Sequence, residues 1–236
     1  MDRETIAALW IIGIIMTVGL FAFSIRAFSV RREAKLFYYS FVIITLVGAL
    51  SHFAMASGLG SMRQGDHIVF FARSIDWVIT TPLLLLNVAL IALPRVPERT
   101  QLIVVLLGAD ILMIITGSIG TFILSDGRWG WFGASTMGFV IIFYIIAQFT
   151  REAHLRGSEV SRLYSILSKW LIALLVCYPI VLILGNEGLE IFSLFIEAVL
   201  LGILDICAKI GSAYILLSHC NALMQAEAAG SSSTGS

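Results

Sequence analysis

The chain has 236 residues, of which 59% are apolar and 13% charged, with 15 Lys and Arg against 15 Asp and Glu. Its mean hydropathy of +0.97 excludes a water-soluble enzyme, and the zero net charge excludes a basic surface for nucleic acid. Apolar content this high and this evenly spread predicts one bundle of membrane-spanning helices in contact with lipid.

A span needs about 20 apolar residues to cross about 30 Å of hydrocarbon. Seven stretches qualify, at residues 5–26, 36–57, 68–93, 101–124, 129–150, 162–184 and 191–219. The expected fold is therefore all-α, a seven-transmembrane-helix bundle. The first stretch begins with Asp2 and Glu4, exceeds the apolar core of a signal peptide and shows no small-residue cleavage pattern, so it reads as a retained span. Cys177, Cys207 and Cys220 have no paired spacing and no accompanying His cluster, which speaks against disulfides and against a metal site.

Orientation is read from Lys and Arg, which are retained on the cytoplasmic side. Arg26, Arg31, Arg32, Lys35, Arg95, Arg99, Arg151, Arg156 and Arg162 fall in the connections after the first, third and fifth spans; Arg3, Arg63 and Arg128 fall on the other face. The N-terminus is expected outside and the C-terminus in the cytoplasm, as for a multi-pass protein of a prokaryotic inner membrane. Residues 1–225 read as one transmembrane domain, and the small, polar residues 226–236, ending GSSSTGS, as a disordered tail.

Charges inside spans are expensive in hydrocarbon and point to function. They are Arg73, Asp76, Asp110, Glu197, Asp205 and Lys209, while Lys169 is near enough to a span end to reach water. Asp205 and Lys209 are four apart in LDICAKIG and share a helix face. They read either as a buried ion pair that fixes packing or as a lysine kept for chemistry. In ARSIDWVITTPLLLLN, Thr80 lies four beyond Asp76, one turn away and able to hydrogen-bond its carboxylate. Asn87 lies eleven beyond Asp76, about 16 Å along the axis. The third and seventh spans run in the same direction, so Asp76 and Asp205 can both face Lys209, with Arg73 beyond them.

These segments, together with LGADILMIITG and CYPIVLILGNEG, resemble those of microbial rhodopsins, and the resemblance extends over nearly all of residues 5–220. It implies all-trans retinal as chromophore, joined through its aldehyde to Lys209 as a Schiff base. It implies Asp76 as primary counterion and proton acceptor and Asp205 as second counterion. It also implies that Trp77, Thr81, Met113, Gly117, Phe132, Ser135 and Tyr178 line the pocket. Glu187 and Glu197 resemble the glutamate pair that releases a proton outside in bacteriorhodopsin.

Several positions depart from the family pattern. Leu175 and Leu182 stand where tryptophans usually bracket the retinal, which predicts a looser pocket. Asn87 stands where efficient outward pumps carry an acid as internal proton donor, and an amide has no proton to give. His52 falls where other members place a tyrosine near the second counterion or a histidine that pairs with the first; a packing role is equally open. The reading is a light-driven outward proton pump with slow reprotonation, not an enzyme. The alternative is a photosensory rhodopsin acting through a transducer. A small homo-oligomer such as a trimer is implied by the resemblance alone.

Overall fold

A computed structural model of the chain describes residues 1–32, 34–65, 67–93, 100–123, 125–186 and 188–219. Six long helices follow one another: α1 (Arg3–Ser29), α2 (Lys35–Ala56), α3 (Phe71–Ala92), α4 (Thr100–Thr121), α5 (Arg128–Leu155) and α6 (Ser158–Leu184). Each is long and apolar enough to cross a membrane. The seventh crossing is a composite of α7 (Leu194–Ile206), a π-helical turn (Cys207–Gly211) and α8 (Ser212–Ser218). The seven-helix bundle read from the sequence is therefore what the chain forms among the described residues.

The helices start where local chemistry can satisfy their free amides. Asp2 caps α1 by accepting the Thr5 N–H over 2.7 Å. Ser193 caps α7 by accepting the Ile196 N–H. At the other end, α3 stops at Ala92, two residues before Pro94, as expected ahead of a residue that cannot continue a helix. The turn from α5 to α6 is compressed into Arg156 and Gly157, and Gly157 has a φ of +106°, which a residue with a side chain rarely adopts.

Three expected boundaries move. The third span was read from residue 68, but His67–Val69 is a strand, β2, paired antiparallel with β1 (Met62–Gln64). The apolar residues that extended the span thus belong to a hairpin, and α3 begins at Phe71. The fifth span was read to residue 150, yet α5 continues to Leu155, so Arg151 and Arg162 sit on helices rather than in a connection. The seventh crossing begins at Leu194, because residues 191–193 lead into its cap. Arg95, Arg99, Cys220 and the tail at 226–236 lie outside the described residues.

The hairpin closes one end of the bundle. Asn186, just past α6, donates its side-chain amide to the Ile68 carbonyl, and Gln64 donates to the Phe122 carbonyl beyond α4. The apolar core is lined by residues such as Phe41, Leu85, Ile142, Phe149, Leu171 and Leu201. Large apolar side chains including Val18, Phe21, Leu112, Val140 and Tyr144 point outward. A protein apolar inside and out satisfies its backbone internally and meets lipid at its surface.

Candidate functional site

The site is built around Lys209, 1% exposed in the π-helical turn. Its Nζ donates to Asp76 Oδ2 and, over 2.9 Å, to Asp205 Oδ2. α3 supplies one carboxylate and α7 the other, so the amine is held between two helices rather than by its own helix neighbour alone. Gly48 on α2 permits this approach, since a Cβ there would stand 3.3 Å from Nζ.

The two carboxylates are dressed differently. Asp205 Oδ1 accepts from the Tyr178 hydroxyl over 2.6 Å and from the Trp77 indole N–H over 3.1 Å. These two aromatic rings meet edge to face with centroids 4.9 Å apart. His52 Nε2 stands 3.9 Å from Asp205 Oδ2, while its Nδ1 pairs with the Gly48 carbonyl. Asp76 Oδ1 meets the Thr80 hydroxyl at 3.2 Å, and that hydroxyl also donates to the Asp76 carbonyl. Asp205 is therefore held by donors from α3 and α6, and Asp76 by the amine and one hydroxyl.

Towards the hairpin end, Arg73 Nη1 donates to Glu197 Oε1 over 2.9 Å. Glu197 is fully buried, and its other oxygen accepts the Asn186 backbone N–H. With Lys209 and Arg73 positive and Asp76, Asp205 and Glu197 ionised, the five groups sum to −1. Burial in low dielectric makes such charges costly unless they are paired, and each of these is paired with a group of opposite sign. The His52, Asp76 and Asp205 ligand atoms lie within 4.8 Å of one another, a spacing a metal could use. The lysine amine, however, bonds both carboxylates, and the cluster reads as an ion-pair network.

From this network apolar space runs between α3, α4, α5 and α6. A small cavity bordered by Lys209, Ala208, Leu171 and Leu174 adjoins a wider one, with which it shares Trp77, Thr81, Leu175 and Tyr178 as walls; the wider one encloses about 880 Å³ of empty space, some of it open to the surroundings. It is lined by Trp77 and Thr81 from α3, Met113 and Gly117 from α4, Phe132 and Ser135 from α5, and Leu175, Tyr178 and Leu182 from α6, among others. A buried primary amine beside a small apolar cavity that adjoins a wider one suits a long apolar aldehyde, with the amine as its point of attachment.

The remaining expected residues divide. His52 does not border the cavity; it lies behind the lysine against the second carboxylate, because α2 contributes to the charge network and not to the channel. Asn87 is buried and donates to Ser40 Oγ over 3.0 Å, at the end of the bundle opposite the hairpin. Asp110 accepts from Thr81 over 2.6 Å and joins α4 to α3. Glu187 lies outside the described residues. Sequence reasoning missed Trp170, whose indole N–H donates to the Cys207 carbonyl, and no side-chain pattern marks a bond to a backbone group.

Comparison with known proteins agrees with this geometry. Residues 3–223 match the family model described as bacteriorhodopsin-like protein. The chain is 37% identical over 217 residues to the bacteriorhodopsin of Haloterrigena sp. (strain arg-4), covering 89% of this chain and 85% of that protein. It is 35% identical over 219 residues to archaerhodopsin-3 of Halorubrum sodomense, covering 89% and 83%. Among solved structures, the thermophilic rhodopsin from Rubrobacter xylanophilus superposes with a TM-score of 0.91 at 34% identity over 94% of this chain and 98% of that one. The light-driven proton pump rhodopsin of Coccomyxa subellipsoidea superposes with a TM-score of 0.87 at 29% identity, over 93% and 98%.

Proposed function

The chain belongs to the bacteriorhodopsin-like protein family, and from that premise we propose that it is a light-driven pump moving protons outward across a cell membrane, with all-trans retinal bound to Lys209. Membership makes it a multi-pass membrane protein and implies a retinal chromophore. When joined to the Lys209 amine as a Schiff base, retinal supplies light absorption and a change of shape; the protein supplies position and electrostatics.

The observation that carries the reading is the Lys209 amine, buried beside the small cavity and bonded to carboxylates from two helices. Asp205, with Tyr178 and Trp77 on one oxygen, keeps its negative charge in place as second counterion. Asp76 Oδ2 faces Nζ and takes the proton that leaves it. Arg73 and Glu197 continue the polar path towards the hairpin end, and Glu187 completes the release pair. Asn87 holds no proton to return, so Nζ is recharged from water at the opposite end and the cycle is slow.

The excess of Lys and Arg on that side supports a cytoplasmic opposite end and an N-terminus outside. The same reading makes residues 1–225 the working domain and 226–236 a tail without a part in transport. A prokaryotic inner membrane and a small homo-oligomer such as a trimer belong to it as well. The second reading, a photosensor with a transducer partner, is favoured by the Asn87 amide and by Leu175 and Leu182, all of which suit a slow cycle with a long-lived intermediate.

The test is to illuminate cells that make the chain with retinal and to record external pH with and without a protonophore. Acidification abolished by the protonophore is expected; light-dependent absorbance changes without any pH change would favour the sensor.

A further inference from the structure

In α6, two side chains reach the seventh crossing by hydrogen bonds among the described residues. One is Tyr178, on the Asp205 carboxylate. The other is Trp170, whose Nε1–H donates to the Cys207 carbonyl over 3.2 Å. The two donors are eight residues apart on α6, about 12 Å along its axis, and their acceptors precede Lys209 by four residues and by two.

The Cys207 carbonyl belongs to the π-helical turn Cys207–Gly211. A π turn interrupts the regular ladder of backbone bonds and is a recurrent device at functional sites. An indole N–H away from water also needs an acceptor. Gly211 makes room for the ring: a Cβ there would lie 3.2 Å from Trp170 Cζ2 and 3.7 Å from Nε1. The indole thus rests on the last residue of the turn while bonding its first. Between Trp170 and Tyr178, α6 presents Leu171, Leu174 and Leu175 to the small cavity.

We infer that Trp170 is a positioning residue for Lys209, tying α6 to the π-helical turn that carries the lysine. The inference rests on the reading that Lys209 holds the chromophore. The wide part of the cavity is bordered on α6 by Leu175, Tyr178, Pro179, Leu182 and Ile183, with leucines at the two positions where the family pattern has tryptophans. The Trp170 bond gives α6 and the lysine turn a direct connection. It lies on the side of the lysine where Asn87 stands, and α6 must pull against it to admit water to Nζ from that end.

Trp170→Phe keeps an aromatic ring and removes the N–H. Loss of one neutral hydrogen bond that resists the opening speeds the recovery of the flash-induced absorbance about fivefold. In a Cys177→Ser, Cys220→Ser background with cysteine labelled at the carbonyl carbon, only Cys207 carries the label. Its amide I band is expected to rise in wavenumber in Trp170→Phe, a change that mere loss of packing would not produce at that one carbonyl. Gly211→Ala, which crowds the indole but leaves its N–H, is expected to shift band and rate in the same directions by less, and it decides the matter by the same criteria if Trp170→Phe does not fold. A pigment that forms normally while the Cys207 band or the recovery rate stays unchanged overturns this inference alone. If the unsubstituted chain forms no pigment with retinal, the reading of Lys209 falls and this inference with it.

Discussion

The side-chain amide of Asn87 donates to Ser40 Oγ over 3.0 Å, joining α3 to α2 on the side of Lys209 remote from Arg73 and Glu197. A carboxylic acid at this place could return a proton to the lysine nitrogen; an amide can only order the packing. The rate of return is then set by protons arriving from water. Recovery of the deprotonated state is expected to slow as pH rises, and Asn87→Asp to accelerate it on the order of 100-fold, the contribution of a positioned general acid. Flash spectroscopy across a pH series measures both, and a fast, pH-independent decay in the unsubstituted protein would refute the assignment.

Lys209→Ala removes the amine that borders the small cavity. Added all-trans retinal is expected to give no visible band with this variant. A band that survives the substitution would remove Lys209 from the site, whatever the cause.

Leu182 and Ile183 border the wide part of the cavity together with the exposed Thr136. Leu182→Trp adds an aromatic wall there and narrows the opening between α5 and α6. Bleaching by hydroxylamine in the dark is expected to slow, and the visible maximum to move. The added volume costs about 1–3 kcal/mol of stability where the wall cannot relax. An unaltered bleaching rate would mean that small molecules enter elsewhere.

Tyr178→Phe deletes the 2.6 Å bond to Asp205 Oδ1 and leaves the Trp77 N–H as the remaining donor to that oxygen. Because the acceptor is a carboxylate, the expected loss of stability is about 1.5–3 kcal/mol, read as a lower thermal bleaching temperature. A shift of the visible band should accompany it, since one of the two charges bonded to Nζ changes its position. A variant with unchanged melting and colour would show that Asp205 does not depend on this hydroxyl.

Much of this protein was legible without coordinates. Seven apolar stretches of about 20 residues dictate a helical bundle, because runs of that length satisfy their backbone in lipid as helices, and the four-residue spacing of Asp205 and Lys209 puts both on one helix face by geometry alone. The cavity residues on α3 to α6 were also readable, but through their likeness to a known pattern and not through spacing. Other features needed the tertiary structure because they join distant parts of the chain or involve groups without a side-chain signature. Ile68–Phe70 is apolar enough to extend a span, and only pairing with Met62–Gln64 makes His67–Val69 a strand of a hairpin. His52 could have served either carboxylate, and the packing of α2 against the seventh crossing set it beside Asp205. Trp170 meets a backbone carbonyl in a π-helical turn, a partner that any residue type could have offered and that the letters of the sequence therefore do not mark.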